Sequence, residues 1–375
     1  MVANLTTRLG QLTSSPAGGP YTGANKIING DMVIDQRNAG ASVSLGNGSY
    51  YITDRWAARL NTTVGGPATM TGQQVADAPS GFYYSLKFTG SGSVATPAAN
   101  DYTMAWQGIE GLNCTDLNFG TANAKSVTLS FWVKSSLTGN FGVSIRNVAG
   151  SGSTYMVSYN IPVANTWTLI TATIVGDTSG TWPTDNSAWA YVYFDLGVGT
   201  TYSIAASAGT WTNGSAPFGL TGGVKLIANA AATLQITGVK LEVGSIATPF
   251  VPDNYSDSLV KCQRYYCKTF PQATAPATNL NASSGCLMIG SLNLANAGML
   301  MWLFPVTMRA NPTITRYGIK SANTNWTNFT NSNVATTSGA NVISEQSTCV
   351  YSNGDGTAAA VNNQVGIHAA ADAEL

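Results

Sequence analysis

The stretch Val127-Thr-Leu-Ser-Phe-Trp-Val-Lys134 alternates apolar and polar side chains. Successive side chains of a strand point to opposite faces of its sheet, so Trp132 lies on the polar face. The other face is apolar and consists of Val127, Leu129, Phe131 and Val133. Phe141-Gly-Val-Ser-Ile-Arg146 repeats the alternation after a Thr-Gly turn at 138–139. The two stretches therefore predict an antiparallel hairpin with one buried face.

Further strands are predicted on both sides of this hairpin, at Phe82–Thr89, Tyr155–Ile161, Trp167–Val175, Ala188–Leu196 and Thr233–Val243. Regularly spaced strands without helical segments between them are typical of an antiparallel β-sandwich. Two polar-aliphatic stretches, Asn25–Gly40 and Leu234–Phe250, bracket this region. Because a sandwich brings its first and last strands together, we interpret residues 25–250 as one closed domain.

The sequence pattern changes after residue 250. Residues 251–269 predict a short helical connector, capped by Asp or Ser, with one stripe of side chains: Tyr255, Leu259, Cys262 and Tyr266. So short a helix must pack on something, either its own sandwich or two copies of itself around a threefold axis. Residues 270–375 alternate apolar runs with Asn-, Thr- and Gly-rich loops and predict a second, smaller β domain. Residues 1–24 end in a Pro- and Gly-rich run, which predicts a flexible lead-in.

Ionised side chains are scarce. Charged residues make up 9% of the 375 residues, and the formal net charge is zero. A neutral chain has no electrostatic footprint for DNA or RNA, so no nucleic-acid partner is expected. No apolar run reaches membrane-spanning length and the N-terminus lacks a signal-peptide core, so we expect a chain made in the cytoplasm without membrane insertion. The five cysteines include no Cys-x-x-Cys pair, which argues against a zinc site or a disulfide framework.

The sequence offers little catalytic chemistry. His368 is the only histidine, so a Ser-His-Asp triad or a His-rich metal site would have to use it. No glycine-rich phosphate-binding motif supports a nucleotide cofactor. Asp177 and Asp185 lie in a loop that could hold a structural calcium ion, although Asp at turns is common for backbone reasons alone. The turn interpretation is favoured, and we predict no catalytic residue and no cofactor other than that calcium ion.

Aromatic side chains are the main resource for binding. Tyr and Trp combine a flat apolar face with a hydrogen-bonding group, which suits stacking on a sugar ring. Trp132 stands on the polar face of its strand, and Arg146 would reach the same surface across the predicted hairpin. Trp182 and Trp211 lie in Gly- and Thr-rich segments that would expose them as loops. These four residues are the predicted ligand-binding set, whereas Trp56, Trp167 and Trp189 are expected in the core.

Several short motifs carry a family resemblance: Asn29-Gly30-Asp31, Asp35-Gln36-Arg37-Asn38, Thr53-Asp54-Arg55-Trp56, Ile236-Thr-Gly-Val-Lys-Leu-Glu-Val-Gly244 and Cys262-Gln-Arg-Tyr-Tyr266. They resemble bacteriophage tail-fibre or tailspike-like virion proteins, which carry a jelly roll similar to carbohydrate-binding modules. The resemblance implies a virion location, a homotrimer, and attachment to other virion proteins through residues 1–24. Such modules often hold calcium partly through an Asp in the last strand, where this chain has Gly238.

The resemblance and the aromatic residues together predict a non-enzymatic phage fibre protein that binds a bacterial surface glycan. Repeated display in a trimer would raise a weak single-site affinity by avidity. One alternative is a purely structural virion decoration or connector protein without a ligand. A second alternative is a capsule depolymerase, although the long fixed-period repeat typical of such enzymes is not apparent.

Overall fold

The computed structural model describes residues 25–63, 70–92, 94–214, 217–290, 298–320, 322–329, 337–353 and 364–375. The lead-in predicted at residues 1–24 lies outside these ranges. The described chain forms two compact units. The first comprises residues 25–33 and 42–253 together with Leu375, and the second comprises residues 34–41 and 254–374.

The first unit consists mainly of β-strands. They are β1 (Val43–Leu45), β2 (Gly48–Thr53), β3 (Trp56–Asn61), β4 (Met70–Val75), β5 (Ser85–Thr89), β6 (Tyr102–Glu110), β7 (Val127–Ser135), β8 (Gly139–Asn147), β9 (Ser153–Ile161), β10 (Thr168–Ile174), β11 (Ala188–Val198), β12 (Ser203–Ile204), β13 (Thr212–Asn213), β14 (Gly219–Leu220) and β15 (Thr233–Val243). Each strand predicted from the alternation overlaps one of these, and the bounds of β15 coincide with the prediction.

Two antiparallel sheets account for most of these strands. Within the described ranges, one sheet has six strands in the order β1-β4-β5-β15-β7-β10. The other has seven strands in the order β13-β9-β8-β11-β6-β3-β2. Strands β12 and β14 form a short parallel pair beside the seven-stranded sheet.

The core lies between the two sheets. Phe131 of the six-stranded sheet and Phe194 of the seven-stranded sheet have ring centroids 5.0 Å apart. Trp56 lies against the ring of Phe194, with 6.1 Å between the two centroids. The apolar face predicted for β7 is fully buried, which follows from the period-two alternation of a strand packed on one side.

The predicted hairpin of β7 and β8 is wrong, because the two strands belong to different sheets. Trp132 of β7 is in register with Leu169 and Thr237. Arg146 of β8 is in register with Tyr191 and Thr154. The alternation places apolar side chains toward the core in both strands. It does not distinguish two neighbouring strands of one sheet from two strands that face each other across the core.

The two bracketing stretches meet in the first unit. Lys26 N donates to Leu241 O at 2.8 Å, and Val239 N donates to Gly30 O at 2.9 Å. Gly238 adopts φ +60° at a bulge, where the register of β15 on β7 shifts between Thr237 and Lys240. A left-handed backbone of this kind favours glycine.

The first bracket nevertheless does not stay in the sandwich along its whole length. Residues 34–41 belong to the second unit, which departs from the predicted uninterrupted domain at 25–250. Gln36 Nε2 donates to Tyr266 O at 2.9 Å. Arg37 pairs with Asp372 at 2.8 Å, and its guanidinium lies 3.8 Å from the ring centroid of Tyr266. Specific polar contacts therefore hold this short segment in the second unit.

The second unit contains the helix α1 (Tyr255–Gln263) and further antiparallel strands. These are β16 (Tyr266–Lys268), β17 (Leu287–Gly290), β18 (Gly298–Leu303), β19 (Thr313–Tyr317), β20 (Thr327–Asn328), β21 (Thr337–Asn341), β22 (Ser347–Asn353) and β23 (Gln364–Asp372). Strand β23 pairs with β16, β17, β19 and β20, and β22 pairs with β18 and β21. Their core includes the fully buried Trp326 and Ile367.

The helix differs in detail from the prediction. Asn254 is its N-cap residue rather than an Asp or Ser. Ser258 and Cys262 are buried, while Tyr255 is 52% exposed. The predicted stripe is only partly used, because Tyr266 lies in β16 beyond the helix. No helix in the described part of the chain is long and apolar enough to cross a membrane. The predicted fold, an antiparallel β-sandwich of the jelly-roll type followed by a short helix and a smaller β domain, is confirmed.

Candidate functional site

The outer face of the seven-stranded sheet carries a row of side chains that includes three aromatic rings. Tyr51 is in register with Ala57, and Ala57 with Trp106. Trp106 is in register with Tyr193, and Tyr193 with Ser144. The row crosses β2, β3, β6, β11 and β8, so residues remote in sequence lie side by side on one surface.

The alternation within β6 and β11 explains why these rings face outward. In β11, Val192 and Phe194 belong to the sandwich core, so Tyr191 and Tyr193 must point to the opposite side. In β6, Ala105 points into the core, which turns Trp106 outward. Each strand is therefore apolar on both faces, and the outward face forms a second, smaller cluster.

Four of the outward rings form a contiguous set, which we call the aromatic face: Tyr51, Trp106, Tyr191 and Tyr193. The centroid distances are 5.9 Å from Tyr51 to Trp106, 5.4 Å from Trp106 to Tyr191 and 5.7 Å from Tyr191 to Tyr193. Tyr193 is buried, whereas the other three are half-buried. Rings held by their neighbours and still open to solvent lose little conformational entropy when a ligand stacks on them.

A second group of rings borders the aromatic face. Phe218 lies 5.5 Å from Tyr193 and 5.2 Å from Tyr102, measured between centroids. Tyr202 stacks on Phe218 at 5.0 Å. The segment that carries Phe218 also covers β8, since Ser144 Oγ donates to Phe218 O at 3.2 Å. This segment therefore borders the aromatic face on the side of β8.

Two arginines belong to the same face. Arg59 of β3 is exposed, and its guanidinium carbon lies 5.4 Å from the ring centroid of Tyr102. Arg146 of β8 is half-buried beside Tyr191. Burial raises the pKa of Tyr193 to about 12, while the charges of both arginines and a hydrogen bond from Arg146 act in the opposite direction. Both cations are thus close enough to influence the aromatic face electrostatically.

Arg146 is on the face where the sequence placed it, but Trp132 is not beside it. Trp132 is half-buried on the outer side of the six-stranded sheet, next to Gly238. The predicted surface shared by Trp132 and Arg146 therefore does not exist. The error follows from the wrong hairpin: residues that would share a face in one sheet lie on opposite sides of the sandwich when their strands belong to two sheets.

Trp182 was expected to be exposed, and this is wrong. Its side chain is 7% exposed, and Nε1 donates to Ser179 O at 3.1 Å. It packs on Phe119 and Trp189 with centroid distances of 4.8 and 4.7 Å. The loop folds inward because these three rings form a common apolar cluster at the edge of the core.

Trp211 is half-buried and also contributes to that cluster. Nε1 donates to Val175 O at 2.8 Å, and the ring lies 5.3 Å from Trp182. Trp167, in contrast, was expected in the core and is only half-buried, with Lys134 Nζ 4.9 Å from its ring centroid. The predictions for Trp56 and Trp189 are confirmed, since both are buried.

Asp177 and Asp185, the predicted calcium candidates, both make local turns. Asp177 is buried and accepts hydrogen bonds from Ser153 Oγ and from the N and Oγ of Ser179, each at 2.9 Å. Asp185 accepts a bond from Ser187 N at 2.9 Å, and its hydrogen bonds with Ser187 lower its pKa. Among the described residues, no three His, Cys, Asp or Glu side chains are grouped so that they could hold a metal ion.

The sequence contained a signal for the aromatic face that was not used. In Tyr191-Val-Tyr-Phe194, the alternation of a strand pairs Tyr191 with Tyr193 and Val192 with Phe194. When one pair points into the core, the other pair must place two large apolar side chains on the outer surface. An outward pair of aromatic residues indicates a covered or ligand-binding surface. Finding Trp106 and Arg59 beside them requires knowing that β3, β6 and β11 are neighbours, which no local pattern reveals.

No protein-family model matches the sequence, and no curated protein matches it. Among solved structures, the chain is similar to the enzymatically active domain of tailspike protein 4 of bacteriophage CBA120, with 17% identity and a TM-score of 0.30, covering 62% of this chain and 23% of that one. It thus spans about a quarter of the tailspike chain.

Two further similar structures are covered almost completely. A putative sugar binding protein from Bacteroides thetaiotaomicron has 12% identity and a TM-score of 0.33, with 58% of this chain and 99% of that one covered. The CBM22-1 xylan-binding domain from Paenibacillus barcinonensis has 13% identity and a TM-score of 0.27, with 56% and 99% covered. At such scores, the similarities carry no argument about the ligand or the activity of this chain.

Proposed function

We propose that the chain is a non-enzymatic binding protein that holds a glycan on the aromatic face. The rings of Tyr51, Trp106 and Tyr191 carry this proposal, because they are half-buried and the ring of Trp106 lies 5.9 Å from Tyr51 and 5.4 Å from Tyr191. Sugar rings present apolar C–H faces that stack on aromatic rings, while Tyr hydroxyls and Trp N–H groups can bond sugar hydroxyls. A rigid sheet positions these rings more firmly than a loop would.

The carboxylates of the ring-bearing strands support binding rather than hydrolysis. Glycosidases generally need two carboxyl groups on either side of the scissile bond. Strands β6 and β11 contribute one carboxylate each, Glu110 and Asp195, and these are 1% and 4% exposed. Asp195 accepts hydrogen bonds from Gly197 N and Leu220 N, both at 2.8 Å. Neither side chain is placed to reach a sugar that arrives from solvent.

We extend the proposal to a virion fibre protein that recognises a bacterial surface glycan as a homotrimer. The virion location and the attachment through residues 1–24 rest on the motif resemblance described above. Association has a separate supporting observation in the second unit. Met299, Met301 and Leu303 share one side of β18 and are 64%, 54% and 71% exposed. Among the described strands β18 is at the edge of its sheet, and exposed apolar side chains there favour contact with another chain. Light scattering tests this association, since a monomeric mass would contradict it.

Glycan-array screening of the purified chain, followed by calorimetry on the best ligand, tests the binding function. We expect Trp106→Ala to weaken binding about 30-fold or more, the effect of removing a central aromatic contact. Trp132→Ala is the matched control, because it removes the same side chain from the opposite sheet. Thermal melts of both variants identify any loss of folding.

Three outcomes would contradict the proposal in different ways. A loss of affinity in Trp132→Ala, with none in Trp106→Ala, would move the site to the six-stranded sheet. The absence of any bound glycan, together with normal virion assembly, would favour a purely structural virion decoration or connector protein. Release of new reducing ends from a bacterial polysaccharide would favour the depolymerase.

A further inference from the structure

We infer that the aromatic face selects an anionic glycan, one that carries a carboxylate or sulfate group on its sugar units. This inference rests on the proposed glycan-binding function and names the class of sugar. It follows from the positions of Arg59 and Arg146. In the sheet order β8-β11-β6-β3, the two strands that carry Trp106 and Tyr191 lie between the two strands that carry the arginines. The cations therefore flank the rings on both sides.

The register makes this placement specific. Arg146 is directly opposite Tyr191 on the neighbouring strand. Arg59 is opposite Met104, which lies two residues before Trp106 on the same face of β6. Directly opposite positions in an antiparallel sheet have Cβ atoms about 5 Å apart, within reach of a long side chain. A ligand stacked on Trp106 and Tyr191 would meet Arg146 beside Tyr191, and a ligand that extends along β6 toward Tyr102 would also meet Arg59.

Neither arginine is neutralised by the protein. In the described part of the chain, no carboxylate lies within ion-pair distance of Arg59 or Arg146. Three lysines of the same unit, in contrast, are paired: Lys26 with Asp116, Lys134 with Asp77, and Lys240 with Glu242. The face thus keeps two positive charges in a chain whose net charge is zero. Charges left uncompensated beside a binding surface favour an oppositely charged partner.

Arg146 also shows an unusual local arrangement. Its Nε atom is buried and has no hydrogen-bond acceptor among the described residues. A buried donor without an acceptor destabilises the folded chain. The half-buried stem fixes the guanidinium beside Tyr191, and its fork geometry suits an anionic oxygen pair. Because Nε itself is buried, the terminal nitrogens of the guanidinium are the atoms that would bind the anion.

The test compares each bound acidic glycan with its neutral counterpart, using the full chain. The probes are acidic polysaccharides, their carboxyl-reduced forms and, for sulfated probes, their desulfated forms. We expect neutralisation of the glycan to weaken binding about tenfold or more, the effect of losing one charge-assisted hydrogen bond. If carboxyl reduction weakens binding, the recognised group is a carboxylate. If desulfation weakens binding, the recognised group is a sulfate. Binding of the acidic form should also weaken as salt rises.

Two variants assign the selectivity to the arginines. Arg146→Gln and Arg59→Gln should each lower the ratio of the affinity for the acidic probe to that for its neutral form about tenfold. Lys87→Gln is the matched control, because it removes a positive charge from β5 in the opposite sheet. Affinity for both forms should be unchanged in this control.

The failure of the inference is distinguishable from the failure of the proposed function. Equal affinity for acidic and neutralised glycans would overturn the selectivity and leave glycan binding intact. A selectivity that persists in both arginine variants would overturn the assigned residues. The absence of binding to every glycan, acidic or neutral, would overturn the proposed function itself.

Discussion

Replacement of Asp195 by Asn should remove a large part of the pH dependence of the first unit's stability. Asp195 lies on β11, and its carboxylate accepts hydrogen bonds from Gly197 N and Leu220 N. Burial raises its pKa from 3.8 to about 7, although these two bonds and the charge of Lys225 act in the opposite direction. No ion pair of Asp195 compensates the burial among the described residues.

The sign follows from the raised pKa. A carboxyl group that holds its proton more tightly in the folded state stabilises that state fully below its unfolded pKa, near pH 4. The stabilisation is lost as the pH rises to about 7, where the folded form ionises. Each pH unit between the two pKa values corresponds to about 1.4 kcal/mol. The difference between 3.8 and about 7 therefore corresponds to a loss on the order of 4 kcal/mol between pH 4 and pH 8.

Urea unfolding followed by tryptophan fluorescence, at several pH values from 4 to 8, measures this effect. The wild-type free energy of unfolding, minus that of Asp195→Asn, should fall by on the order of 4 kcal/mol across the range. Taking the difference cancels other titrating groups, including Asp31, whose pKa is also raised by burial. Asp185→Asn is the control, because this exposed carboxylate should not change the profile on the alkaline side of pH 4. Parallel profiles for wild type and Asp195→Asn would refute the reasoning.

Three further predictions concern stability, binding and association. Gly238→Ala should lower the free energy of unfolding by about 1–3 kcal/mol, because φ is +60° and an added Cβ would lie 2.6 Å from Phe82 Cζ; an unchanged urea midpoint would contradict this. Trp211→Phe should cost about 1 kcal/mol through loss of its bond to Val175 O and leave glycan affinity unchanged, as calorimetry would show. Met301→Asp should lower the mass measured by light scattering, unlike Leu280→Asp at another exposed apolar position; equal masses would refute a role for β18.

Local patterns in the sequence predicted the strands and their buried faces well. The side chains of β7 and β8 point as the alternation indicates, and Arg146 is on the outer surface as expected. These predictions succeed because the period of two depends only on the geometry of a single strand and on which of its faces is buried. The helix was predicted for the same reason, from its period of 3.6.

Local sequence patterns do not predict which strands become neighbours in the sheets. The partners of β7 and β8 depend on how the whole chain folds, so Trp132 and Arg146 were wrongly placed on one surface. The exposure of Trp182 was wrongly predicted because a Gly- and Thr-rich segment can fold back when neighbouring rings bury its Trp. The aromatic face needs residues from β2, β6 and β11, which come together only through the sheet order. Of the four predicted binding residues, Arg146 lies beside the aromatic face, and the sequence analysis selected none of the rings of that face.

The membership of residues 34–41 in the second unit limits how this protein can be cut into pieces. Ending a fragment at residue 253 would keep Gln36 and Arg37 but remove Tyr266 and Asp372, which they contact. A fragment starting at residue 254 would lose the same contacts from the other side. Neither piece is self-contained, so fragments for crystallisation or binding work should keep both units or replace residues 34–41 with a short linker and supply the segment separately.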